Sequence, residues 1–137
     1  MVKILPRLLL AFAALLLAVG AIMHASAFHK IVSAIADSNL APFAANSLKV
    51  LWLGDSTTLL LLAVAFAFIS ARPSAATRWV VVILSLIPAA TAILIYIFIG
   101  SFIGGHMFLV AAIAALIAGL QYPASKSSDS GFPIGRL

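Results

Sequence analysis

Residues 79–99 read WVVVILSLIPAATAILIYIFI and contain no charged side chain. At ~1.5 Å of rise per residue a helix of this length extends about 30 Å, the thickness of a bilayer's hydrocarbon core. A helix apolar on every face has no side to turn toward water, so this run is expected to cross a membrane. Three more runs of the same kind lie around it, at about 4–27, 48–69 and 102–120. With 65% hydrophobic and 8% charged residues, the chain has too little polar surface for a globular domain in water. It reads as an all-α, polytopic membrane protein: a four-transmembrane-helix bundle within residues 1–122, then a disordered cytoplasmic tail, 123–137, rich in Ser and Gly. The loops are too short to hold a domain with its own core, so any site must be built from helices and their connections.

The net charge of +5 is not gathered into a patch, which argues against nucleic acid. Lys3, Arg7, Arg72, Arg78, Lys126 and Arg136 fall on one side of the membrane and Lys30 and Lys49 on the other. By the positive-inside bias both termini and the loop between the second and third runs are expected in the cytoplasm. Cysteine is absent, which removes disulfides, thiolate nucleophiles and thiolate metal ligands. The N-terminus has a second reading. Lys3 and Arg7, an apolar run and Ala25-Ser26-Ala27 also have the layout of a signal peptide cleaved before Phe28.

Alanines at 11, 14, 18, 21 and 25 form a small-residue stripe on the first helix, and Ala111, Ala115 and Gly119 form one on the fourth run. Small stripes let membrane helices approach closely, so these two are expected to be neighbours. Residues 28–46 place Ile31, Val32 and Ile35 against Lys30, Ser33 and Asp37, the pattern of a short interfacial helix. The alternative is a first helix that continues to about Asp37. Pro42 suits a first helical turn, and Pro88 removes a hydrogen bond inside the third run and favours a kink there. Gly104-Gly105 opens the fourth run and allows close backbone approach.

Polar residues converge on the side away from most of the basic ones. His24, His29, His106 and Asp55, the acid inside an apolar run, share one layer with Ser26, Ser56, Thr57 and Thr58. A carboxylate at such depth costs several kcal/mol unless it is paired or wetted, and usually faces the bundle interior. His24, Asp55 and His106, from three helices, are candidate ligands for a divalent transition metal or haem. His24 and His29 are five residues apart, about 140° around a helix, and cannot share a centre unless the helix breaks. In the plainer reading Asp55 pairs with a histidine to hold helices together. Trp52, Phe28, Phe102 and Phe108 could instead wall an apolar ligand whose polar end meets Asp55, which makes Trp52 and Asp55 candidate cofactor-binding residues. General acid–base chemistry by Asp55 and a histidine on a lipid or quinone headgroup is a further option.

The segment with His24 ending the first helix and Leu48-Lys49-x-x-Trp52-x-x-Asp55-Ser56 opening the second resembles small uncharacterised bacterial inner-membrane proteins with four helices. That resemblance implies a bacterial inner membrane and no particular activity. The expectation is a structural or accessory subunit of a membrane complex with a polar His/Asp cluster at the outer face. Its partners would be membrane lipids and other membrane helices in a homo- or hetero-oligomer. The alternative is a metal-, haem- or lipid/quinone-binding membrane protein.

Overall fold

The computed structural model describes residues 4–122. The expected tail at 123–137 lies outside these residues. Five α-helices follow one another: α1 Ile4–Ser26, α2 Phe28–Ala36, α3 Pro42–Ala71, α4 Arg78–Phe98 and α5 Ile103–Gln121, with a 3-10 turn at Pro73–Ala75. There is no strand among the described residues. Four helical stretches are long and apolar enough to cross a membrane, the first counted as Ile4–Ala36, which makes this the four-helix bundle of a multi-pass membrane protein.

The ends of the helices follow from local chemistry. Pro42 sits in the first turn of α3, where its missing N–H is not needed, so the helix starts before the expected 48. Its 30 residues, about 45 Å of rise, exceed the ~30 Å hydrocarbon thickness. Pro73 prevents continuation at the other end, and Thr77 caps α4 by accepting the Val80 N–H. α4 ends where Gly100 takes a left-handed φ of 91° and its N–H returns to the Ile95 carbonyl. Pro88 is buried within α4, which runs unbroken through it.

The two expectations for the end of α1 are both partly met. α2 follows α1 after the single residue Ala27 and has no buried residue, which suits an interfacial helix. At the break the Ala27 N–H is shared between the Met23 and His24 carbonyls, each at 3.2 Å, and the His24 carbonyl also accepts from Trp52 Nε1 at 2.8 Å.

Within the bundle α3 packs on α1, α1 on α5 and α5 on α4, all antiparallel, while α3 and α4 barely meet. The layer is therefore curved, with a seam between its two outer helices. Buried positions on α5 are mostly Ala and Gly, whereas Val110, Ile113, Leu116 and Ile117 face outward. Without a hydrophobic drive between helices in lipid, packing depends on close approach of small residues. A Cβ on Gly20 would lie 2.9 Å from the Phe108 ring, and one on Gly119 would lie 3.2 Å from the Val82 backbone nitrogen. The expected contact between the first and last membrane helices is present. The alanine stripe of α1 faces it only in part: Ala14 and Ala21 are buried, while Ala11 and Ala25 are exposed. α1 supplies the fully buried Leu10, Ala13 and Leu17 and stands at the centre of the layer, so a chain lacking it would lose the helix that joins α3 to α5.

One end of the bundle is latched by reciprocal bonds: Arg7 Nε donates to the Ser70 carbonyl at 2.9 Å, and Ser70 Oγ donates to the Arg7 carbonyl at 2.8 Å. At the same end Tyr122 Oη donates to the Ile69 carbonyl at 3.3 Å. The opposite end carries His24, Trp52, Asp55 and His106.

Candidate functional site

At this opposite end, the last turn of α1 and the third and fourth turns of α3 lie side by side. The His24 and Trp52 rings stack with centroids 3.9 Å apart and planes 13° from parallel. The Trp52 N–H also donates to the His24 carbonyl, so one residue holds both the ring and the backbone of another. Ser56, one turn further along α3 and buried, places its Oγ 2.8 Å from His24 Nδ1 and 3.1 Å from the Trp52 carbonyl. Asp55 Oδ2 stands 3.7 Å from His24 Nε2, with side-chain exposures of 40% and 24% respectively. That separation is an ionic contact if the imidazole is protonated and too long for a hydrogen bond.

One assignment of the protons uses the available donors. A serine hydroxyl has one hydrogen, and bonding to the carbonyl one turn back is its usual use within a helix. Donated to Trp52, it leaves Ser56 Oγ as acceptor for a proton on His24 Nδ1. In that tautomer a neutral His24 presents its bare Nε2 lone pair toward the Asp55 carboxylate. Two acceptors thus face one another across a gap.

Both face a cavity of about 600 Å³. It is lined by α1 at Gly20 and Met23, α3 at Leu48 and Trp52, α4 from Thr91 to Ile99, and α5 from Phe102 to Phe108. Its wall runs from Thr91 to Ile95 within α4 and on to Ile99, just past the end of that helix. α1, α3, α4 and α5 all contribute to its wall, and α3 and α4, on opposite sides of it, make few contacts with one another. Among the described residues no lysine or arginine lines it.

No protein-family model, curated protein or solved structure matches the chain. The geometry carries the functional reading by itself.

The residues singled out from sequence separate into two groups. His24, Trp52 and Asp55 come together. His106 does not join them: its Nδ1 lies 2.6 Å from Tyr96 Oη across the α4–α5 hairpin, and its side chain is exposed. Among the described residues no three His, Cys, Asp or Glu side chains come close enough to hold a metal ion, so the trio His24, Asp55 and His106 does not form one centre. Sequence depth placed the three in one layer, but rotation of α5 turns His106 toward α4. His29 points back to the Ser26 carbonyl, with Nδ1 at 2.8 Å. Thr57 and Thr58 bond the carbonyls one turn behind them and take no part. Of the four aromatics expected to wall a ligand, Trp52, Phe102 and Phe108 line the cavity and Phe28 does not. Ser56 was one of several hydroxyls at this depth; its place beside His24 depends on helix rotation. The sequence offered no signal for the Tyr96 partnership with His106.

Proposed function

We propose that this protein binds an amphiphile of the lipid or quinone type, its apolar body in the cavity and its polar end at Asp55 and His24. The observation that carries the reading is the cavity itself, apolar over most of its wall, with a carboxylate and an imidazole at one side. Ligand pockets commonly have this build, a largely apolar wall with few convergent polar groups. Its volume falls within the ~300–1,000 Å³ typical of small-molecule sites.

Native mass spectrometry of the protein released from mild detergent tests this. The wild type should carry an adduct of amphiphile mass. Asp55→Leu should insert and fold normally yet lose the adduct, and His106→Ala should keep it, because His106 is committed to Tyr96. An unchanged adduct in Asp55→Leu would sink the proposal.

A second reading, that of an accessory subunit docked on other membrane helices, is supported by a groove of about 440 Å³ on the α1–α3 face. It is lined by Ala11, Ala14 and Ala18 from one helix and Ala63, Ala67 and Ala71 from the other. Small residues at this spacing suit close helix contact. A mass equal to a complex, with no amphiphile, would favour it.

A further inference from the structure

We infer that the polar end of the ligand is a primary ammonium, so that the cavity selects singly charged amphiphilic amines; this rests on the cavity reading above. The first support is the pair of facing acceptors. With the Ser56 hydroxyl donated to the Trp52 carbonyl, the His24 tautomer protonated at Nδ1 has that proton taken by Ser56 Oγ, and in this tautomer Nε2 and Asp55 Oδ2, 3.7 Å apart, both lack a donor. A nitrogen at the usual charge-assisted distance of about 2.8 Å from each would see the two acceptors at an angle of roughly 80°, which two N–H groups of one ammonium can serve.

The second support is charge. Among the described residues Asp55 is the acidic one on the cavity wall, and no lysine or arginine lines that wall beside it. A carboxylate in an apolar setting is stabilised by a cation that reaches it, and a ligand bearing one positive charge supplies it.

A quaternary ammonium carries the same charge and could be held by an aromatic face instead. Here one face of the Trp52 indole is already covered by the His24 ring, 3.9 Å away and nearly parallel. The acceptors therefore outweigh the ring, and N–H donors are preferred over N-methyl groups. An alcohol offers one donor and no charge, so it satisfies one acceptor and leaves the carboxylate unpaired.

The experiment uses the full chain in phosphatidylcholine nanodiscs with Trp79→Phe, so that emission reports Trp52 alone. Chain-brominated dodecylamine, dodecyltrimethylammonium and dodecanol are titrated as quenchers. The amine should quench at about tenfold lower mole fraction than either of the others, the worth of one added charge-assisted hydrogen bond. Asp55→Asn should remove that preference and Asp55→Glu should keep most of it. Equal quenching by amine and trimethylammonium, or by amine and alcohol, would overturn the ammonium assignment while leaving the cavity reading intact. Failure of all three to quench beyond a brominated alkane would overturn the cavity reading as well. Replacing phosphatidylcholine by phosphatidylethanolamine identifies the source. Suppressed amine quenching means that a lipid headgroup supplies the ammonium, and unchanged quenching means that a free amphiphilic amine does.

Discussion

Trp52→Ala is expected to remove about 3 kcal/mol of stability and to abolish binding of any ligand in the cavity. The stability figure is the lower part of the range for truncating a large aromatic, chosen because Trp52 is half-buried. Three things disappear together: the stack on His24, the hydrogen bond to its carbonyl, and a wall of the cavity. The His24 carbonyl should then return to the helical ladder, straightening the break at Ala27. Trp52→Phe keeps a ring and loses the N–H, and should cost about 1 kcal/mol, the net value of one hydrogen bond. Unfolding in mixed detergent micelles, followed by circular dichroism, measures both. Similar small losses for the two variants would mean that Trp52 is only an interfacial anchor.

Exchanging Ile113 and Ala115 within α5 should destabilise the bundle by about 1–3 kcal/mol, the usual cost of overpacking, although composition and mean hydropathy are unchanged. Ala115 is fully buried between α5 and its neighbours, and Ile113 is 48% exposed on the lipid side. A branched side chain at 115 would push α5 off α1 and α4 together, since α5 is the helix packed on both. The single change Ile113→Ala should be close to neutral, because its methyl groups exchange one apolar surrounding for another. A water-soluble bundle would show the opposite ranking for exposure of apolar side chains. If the exchange and the single change unfold alike, the small-residue interior is not what holds these helices.

The extent to which the fold was legible depended on how much each feature relied on neighbours. Four apolar runs declare themselves through length alone, and their number and approximate bounds needed no tertiary information. The start of α3 did not, since residues before Lys49 are only moderately apolar and the run was counted from 48, although Pro42, suited to a first helical turn, began the helix. Asp55 was legible because a carboxylate in an apolar run demands a partner, and His24 at matching depth was a natural one. His106 had the same depth and the wrong azimuth. Depth can be counted along a chain, whereas rotation about a helix axis is set by packing, here by Gly105 against Ile95 and Tyr96. The same limit hid Ser56 among four hydroxyl residues and turned Phe28 away from the cavity that Phe102 and Phe108 line.

The sparse seam between α3 and α4 changes what concentration means for this site. If the proposed ligand enters through this seam from among the acyl chains, the cavity is in equilibrium with solute dissolved in the bilayer, and only indirectly with the aqueous phase. Occupancy is then governed by mole fraction in the membrane. Doubling the lipid at fixed total ligand halves the effective dose, and a long alkyl tail raises apparent potency through partitioning before it touches a single protein atom.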